Sequence, residues 1–199
     1  MSGGRRAVFI DRDGTISEEV GYVNHVSRLR VFPFAAEAVR ALNEQGWLAV
    51  LITNQSGVAR GYFEEDLIGE VHKLLTAEIA RGGARLDAIY YCPHHPSAGE
   101  PPYRQDCDCR KPKPGLLLQA ARDLGLDLAR CWMVGDRYGD TELARNAGVR
   151  SALVLTGYGR GELEHQSAAW RHRPDLVAEN LLEAVRTILA SDENDGEGR

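Results

Sequence analysis

The chemistry in this chain begins at Asp11-Arg12-Asp13-Gly14-Thr15, where two carboxylates stand two residues apart. The run before them, Ala7–Asp11 (AVFID), is apolar up to its last residue and reads as a buried strand that ends in an acid. Two carboxylates at one strand end repel each other unless a cation or a proton holds them. Mg²⁺ suits the pair, because it prefers carboxylate and phosphate oxygens. One carboxylate can then act as a nucleophile and the other as acid and base. Gly14 permits the abrupt turn that follows.

Three further clusters sit beyond apolar runs. Thr53-Asn54-Gln55-Ser56 closes the run Trp47–Thr53. Its hydroxyl and amide groups can bind a phosphoryl oxygen, or they can form no more than a polar turn. In Arg110-Lys111-Pro112-Lys113-Pro114 the prolines bar a helix and fix the direction of the cations, and a solvated basic turn is the alternative. Asp136 follows the run Cys131–Gly135, placed to complete a metal site with Asp11, while Asp140 reads as a cap for the next helix.

A fifth constellation is of another kind. Cys92-Pro93-His94 and Cys107-Asp108-Cys109 are separated by twelve residues. Three thiols and one imidazole suit tetrahedral zinc, and four protein ligands leave no open position, so such a zinc is structural. Disulfides or inert thiols are the alternative. Cys131, inside an apolar run, reads as buried.

The elements that must position these groups alternate. Leu86–Cys92 and Ser151–Leu155 join the three runs above as candidate strands. Helices fit between them. Ala35, Val39 and Leu42 mark one, and Leu67, Val71, Leu74 and Ile79 a second. Leu117, Ala121 and Leu124 mark a third, Leu143, Ala144 and Ala147 a fourth. Leu181, Val185 and Ile188 mark a last one, capped by Asn180. The pattern predicts an α/β fold with a doubly wound, mostly parallel sheet. Three stretches, 14–33, 54–64 and 93–114, are too long for simple connections, and all follow carboxyl ends of strands, where open α/β sheets bind ligands. Residues 1–190 read as one domain without a separate cap, and 191–199 as a disordered polar tail.

Composition bounds the function. The chain has 199 residues, 43% hydrophobic and 27% charged, enough to form a core without disulfides. A net charge of -5 argues against a protein held by nucleic acid or an anionic membrane. No apolar run approaches the roughly 18–20 residues that span a bilayer, and Met1–Arg6 lacks the apolar segment of a signal peptide. A cytoplasmic protein with reduced thiols is expected, and a monomer, since no obligate interface is apparent.

An acid pair, a Thr, a Lys and a third acid thus follow successive strands. With D-x-D-G-T, T-N, K-P and G-D-x-x-x-D in that order, the chain resembles the haloacid dehalogenase superfamily of phosphohydrolases over residues 7–156. The clip narrows the likeness. DRDGTI at 11–16, GYV at 21–23, TNQSGVARG at 53–61, YYCPHHP at 90–96 and CDCRKPKPG at 107–115 resemble the bacterial D-glycero-D-manno-heptose 1,7-bisphosphate 7-phosphatases. Those act on a small phosphorylated sugar, in the making of nucleotide-activated heptose for lipopolysaccharide or surface glycan. The resemblance implies that Asp11 is the nucleophile and Asp13 the acid and base. It places Mg²⁺ on Asp11, Asp136 and the Asp13 carbonyl, and gives Thr53 and Lys111 the charge of the transferring phosphoryl group. Glu19, Val20, Gly21, Tyr22, Asn54, Gln55, Ser56, Arg110 and Arg137 are then the substrate contacts, and Cys92, His94, Cys107 and Cys109 the structural Zn²⁺ ligands. Two rival readings share the acid motif: a histidinol-phosphate phosphatase, and a zinc-dependent nucleic-acid end-binding or DNA 3′-phosphatase module.

Overall fold

A computed structural model describes residues 4–197. Six parallel strands form one sheet: β1 (Ala7–Ile10), β2 (Leu48–Asn54), β3 (Ala88–Cys92), β4 (Trp132–Gly135), β5 (Arg150–Val154) and β6 (Leu176–Ala178). Their order is β3-β2-β1-β4-β5-β6. The chain winds outward from β1 to β3, then returns to the other side of β1 with β4. The reversal lies between β1 and β4, and the crevice at such a switch point is where open sheets bind ligands.

Among the described residues six α-helices cover the faces: α1 (Ala35–Glu44), α2 (Asp66–Arg81), α3 (Gly115–Leu124), α4 (Tyr138–Ala147), α5 (Gly159–Gln166) and α6 (Leu181–Glu197). Side chains alternate along the central strands. Val8, Ile10, Leu51 and Val134 point into one core with Val39, Leu42, Leu75, Ile79, Val185 and Ile188. Phe9, Val50, Ile52 and Met133 point into the other with Leu116, Leu117, Leu143 and Ala144. Both faces are covered, which explains why these strands read as unbroken apolar runs. The doubly wound parallel sheet expected from the sequence is therefore present.

The differences are local. The core face of α2 is Ile68, Val71, Leu75 and Ile79, whereas Leu74 is 42% exposed. Leu67 and Leu74 lie one residue out of phase with that stripe, about 100° around the helix. α5 and β6 have no counterpart in the sequence reading. The first carries three glycine or basic residues in its opening turn, and the second is three residues long, so neither shows a period. Asn180 does cap α6, its Oδ1 accepting from Glu183 N–H at 3.1 Å. That helix runs to Glu197, so the segment expected to be a disordered tail is helical over 191–197, with Asp192 paired to Arg6. Residues 1–3 of the basic start and 198–199 of the tail lie outside the described residues. Among the described residues no helix is long and apolar enough to cross a membrane.

Candidate active site

Asp11 and Asp136 follow β1 and β4 directly, one on each side of the switch point. Asp140 joins them from the first turn of α4, and carboxylate oxygens of the three lie within 4.8 Å of one another. All three residues are buried. Lys111 is the cation among them: its Nζ lies 2.7 Å from Asp11 Oδ1 and 2.7 Å from Asp140 Oδ1. Burial opposes the Lys111 charge, yet the two carboxylates outweigh it and hold the ammonium above its ordinary range.

The acids remain in excess. Burial raises Asp11, Lys111 opposes, and Asp140 adds to the rise, so the carboxyl is pushed up to about 7. Asp136 is pushed up to about 8 by burial and then by the Asp11 and Asp140 charges. Asp136 Oδ2 accepts from Tyr158 N–H at 2.8 Å, but the buried Oδ1 has no partner. A buried carboxylate oxygen without a donor, inside a cluster of hard oxygens, is what a divalent cation such as Mg²⁺ satisfies. The backbone is cut close around it. A Cβ at Gly14 would lie 2.2 Å from Asp136 Oδ2, and one at Gly157 would lie 2.1 Å from it. Both glycines also have positive φ, at +83° and +54°.

Asp13 is held apart from this cluster. Arg12, 1% exposed, donates to its carboxylate from Nε at 3.0 Å and from NH2 at 2.9 Å. Gln55 Nε2 donates to Asp13 Oδ2 at 3.0 Å and to Thr53 Oγ1 at 2.9 Å, while its Oε1 accepts from Arg12 at 2.9 Å. The Thr53 hydroxyl, accepting from Gln55, keeps its own proton free to donate into the pocket. Asn54 grips Lys111 at both backbone groups: Oδ1 accepts from Lys111 N–H at 3.1 Å and Nδ2 donates to its carbonyl at 3.3 Å. Gln55 and Asn54, expected to be substrate contacts, are thus also the groups that aim Asp13 and Lys111.

A cavity of about 340 Å³ opens over these groups, lined by Asp11, Asp13, Thr53, Lys111 and Asp136 at its base. Glu19, Gly21, Tyr22, Asn54, Gln55, Ser56, Arg110 and Arg137 line it further out. Val20 does not. Its neighbour Glu19 turns inward and accepts from Gly21 N–H, whereas the Val20 carbonyl is held by Arg28 at 2.7 Å, so the chain presents the flanking residues instead. Burial raises the Glu19 carboxyl. Arg137 stacks on Tyr158, its guanidinium carbon 3.9 Å from the ring centroid.

Two residues placed at the site were not visible as such in the sequence. Asp140 does cap α4, its Oδ2 accepting from Arg137 N–H at 3.3 Å, but its other oxygen holds Lys111. The second acid of G-D-x-x-x-D was the signal, and a helix cap explained it equally well. Tyr158 has no motif around it; only the fold brings it to the pocket.

Cys92, at the end of β3, meets His94, Cys107 and Cys109 as expected. The three sulfurs and His94 Nδ1 form contacts of 3.1–3.8 Å, and no disulfide joins them. Four donors aimed at one point are a site that can hold a metal ion, and their N and S character fits zinc. Hydrogen bonding from Cys92 pulls the Cys109 thiol down to about 5, the thiolate form that metals take. Cys131 is buried, its thiol donating to the Asp127 carbonyl at 3.2 Å.

An acid nucleophile candidate at the end of β1, a Lys after β3 and an acid after β4 of a parallel sheet define a hydrolase of the haloacid dehalogenase class. The HAD-hydrolase-like family model matches residues 108–184. The chain is 44% identical over 189 residues to the D-glycero-beta-D-manno-heptose-1,7-bisphosphate 7-phosphatase of Photorhabdus laumondii, covering 94% of this chain and 97% of that one. It is 41% identical over 184 residues to the enzyme of the same name from Haemophilus ducreyi, covering 92% and 97%. A crystal structure of the D,D-heptose 1,7-bisphosphate phosphatase of B. bronchiseptica, complexed with magnesium and phosphate, superposes with a TM-score of 0.82 at 32% identity, covering 94% of this chain and 99% of that one. The chain belongs to the D-glycero-β-D-manno-heptose-1,7-bisphosphate 7-phosphatase family.

Proposed function

We propose that this chain is a phosphoric monoester hydrolase that removes the C7 phosphate of a D-glycero-D-manno-heptose 1,7-bisphosphate. The observation that carries the reading is the buried trio Asp11, Asp136 and Asp140 around Lys111, with an Asp136 oxygen unpartnered, beneath a cavity that Arg60, Arg110 and Arg137 also line. A site so acidic below and so basic above fits a substrate with two phosphates better than histidinol phosphate, which has one. A nucleic-acid 3′ end needs a long basic track, which a chain of net charge -5 does not favour.

The chemistry follows from the groups in place. One Asp11 oxygen is held by Lys111, and the other attacks phosphorus in line with the sugar oxygen. The phosphorus–oxygen bond to the sugar breaks, and Asp13 gives the leaving oxygen its proton. An aspartyl-phosphate remains on Asp11. Asp13 then takes a proton from water, whose oxygen attacks phosphorus and frees the Asp11 carboxylate. Thr53 and Lys111 donate to the equatorial oxygens throughout. Asp11, Asp136 and the Asp13 carbonyl would hold Mg²⁺, which would supply positive charge against the repulsion between the nucleophile and the phosphoryl group. Zn²⁺ in the Cys/His clip has no part in the chemistry itself. Arg110 takes the sugar's second phosphate, Arg137 is a further substrate contact, and the enzyme works in the cytoplasm.

A phosphate-release screen over heptose 1,7-bisphosphate, histidinol phosphate and a 3′-phosphorylated oligonucleotide tests the assignment. The bisphosphate should lead in kcat/KM by at least about tenfold, and a lead by either rival overturns it. Asp13→Asn should keep the fold, and its loss should shrink for esters whose leaving groups need no protonation. Equal losses on good and poor leaving groups would remove the acid role.

The raised carboxyls add a pH signature. Asp11 and Asp136 sit well above the 3.8 of an ordinary Asp, so these two carboxyls hold more protons in the native state than in the unfolded chain, whereas His72, lowered to about 4 by burial, acts the other way below about pH 6.5. From about pH 6.5 to 8 the contribution of the carboxyls to stability therefore falls as pH rises. A cation on the carboxylates removes the penalty. Melting temperatures measured from pH 6.5 to 8, without chelator so that the thiol site is undisturbed, should fall with pH in magnesium-free buffer and flatten in saturating Mg²⁺. Parallel curves would count against the metal assignment.

A further inference from the structure

The segment that leads from β5 into α5 belongs to none of the four acid, hydroxyl and lysine motifs, yet it meets the acid cluster at two places. Tyr158 N–H donates to Asp136 Oδ2 at 2.8 Å. The Thr156 hydroxyl donates to the carbonyl of Gly14, the residue after Asp13, at 2.5 Å. Gly157 stands between them with no room for a side chain. A Cβ there would lie 2.1 Å from Asp136 Oδ2 and 2.7 Å from Gly14 Cα, and its φ of +54° is strained for any other residue. Three consecutive residues thus touch both the carboxylate that follows β4 and the turn that follows β1.

The Thr156 hydroxyl is not needed to shape either turn. Leu155 N–H donates to the Ala178 carbonyl at 2.9 Å, and Gly159 N–H donates to the Thr156 carbonyl at 3.0 Å, so backbone bonds hold the segment on both sides. The Gly14 turn has its own bond, from Gly14 N–H to the Ser17 carbonyl at 2.8 Å. The hydroxyl ties these two formed turns together, and what it adds is their separation. The Tyr158 amide occupies Asp136 Oδ2, which leaves Oδ1 as the buried oxygen without a partner. Asp13, whose carbonyl is the neutral donor of the same candidate cation site, is bonded directly to Gly14. Asp136 also has to stand close to two like charges, Asp11 and Asp140, and repulsion drives it off unless something holds it.

We propose that Thr156 is a positioning residue for the reaction: its hydroxyl sets the distance between the Asp13–Gly14 turn and the Asp136 carboxylate, and so governs how tightly the site takes a divalent cation. The inference rests on the reading of the chain as a Mg²⁺-dependent phosphatase and adds a residue that touches neither substrate nor cation. Groups that hold a metal ligand directly govern affinity by about 10- to 100-fold. Thr156 acts one residue further away, through a neutral hydroxyl and a carbonyl, so its share is about 3- to 10-fold. Gly157 acts on Asp136 itself, and a methyl group there displaces the carboxylate.

The test measures cation binding to the full chain, zinc-loaded and without substrate. Mn²⁺ is the probe, because it takes the same hard oxygen donors as Mg²⁺ and its free ion is read by electron paramagnetic resonance. Thr156→Val keeps the shape, loses the donor, and should weaken Mn²⁺ binding by about 3- to 10-fold. Thr156→Ser keeps the donor and should restore most of the affinity. Gly157→Ala should weaken binding by about 10-fold or more. In turnover, Thr156→Val should raise the Mg²⁺ concentration for half-activity by the factor seen with Mn²⁺, with a smaller change in kcat at saturating Mg²⁺. Melting temperatures in metal-free buffer separate lost stability from lost affinity. A Thr156→Val protein that binds Mn²⁺ as the wild type does, whether or not it melts lower, would overturn the positioning role. So would a Thr156→Ser protein that binds no better than Thr156→Val. A wild type that binds no Mn²⁺, or releases phosphate at full rate without a divalent cation, would overturn the metal reading itself, and the role of Thr156 with it.

Discussion

Asp11→Asn abolishes phosphate release, with an expected loss of about 10³-fold or more, and leaves the fold in place. The amide is nearly the size of the carboxylate, and its oxygen can still accept from Lys111, 2.7 Å away. What it lacks is the negative charge that attacks phosphorus and draws a cation. The substitution also removes one of three mutually repelling buried acids. The melting temperature of the metal-free variant should therefore be no lower than that of the wild type. Acid-quenched reactions with labelled substrate should trap a phosphoenzyme in the wild type and none in the variant. Near-normal turnover in magnesium-replete buffer would remove Asp11 as the nucleophile, and a trapped phosphoenzyme in the variant would move that role elsewhere.

What the sequence made legible divides along physical lines. β1, β2 and β4 were readable because burial on both faces leaves a continuous apolar run, and the acid, hydroxyl or glycine at the end breaks that run sharply. β6 and α5 were not, because three residues cannot show a period and α5 opens with glycines. In α2 the marking residues Val71 and Ile79 face the core as read, but Leu67 and Leu74 yield their places to Ile68 and Leu75, a choice that only packing decides. Among the site residues, motif members came together as expected: Asp11, Asp13, Thr53, Lys111 and Asp136 share one cavity. Side-chain direction was out of reach. Val20 sits in the right loop and is turned away, and Asn54 and Gln55 spend their amides on Lys111, Asp13 and Thr53. Asp140 was understood as a cap, which it is. Its hold on Lys111 depends on how far α4 stands from the clip loop, a distance that no spacing in the chain encodes.

Cys107→Ala should lose the metal of the Cys/His clip and about 100-fold or more in turnover, yet keep its bulk secondary structure. The clip spans 92–109, and the next two residues are Arg110 and Lys111. Of its ligands only Cys92 belongs to a strand, so much of the loop's order depends on the four donors meeting. The loop has small anchors of its own, such as Tyr103 Oη donating to Glu65 at 2.7 Å and the contact of Gly99 with Ala59. Neither lies between Cys107 and Lys111. Once Cys107 is lost, Asn54 still grips the Lys111 backbone, but the chain leading into it can swing, and the ammonium no longer arrives at one place between Asp11 and Asp140. A displacement of about 1 Å costs on the order of 100-fold when a charge must meet a transferring phosphoryl group. The two cores contain residues from all the other strands and from five helices, so the sheet survives. Added Mg²⁺ should not rescue activity, because its candidate site is a separate set of oxygens. Elemental analysis, circular dichroism and a phosphate assay on one preparation test all three parts. Full activity in a verified zinc-free protein would overturn the positioning role and leave the clip a stabilising element, whereas activity lost together with the circular dichroism signal would show that the clip holds the fold itself.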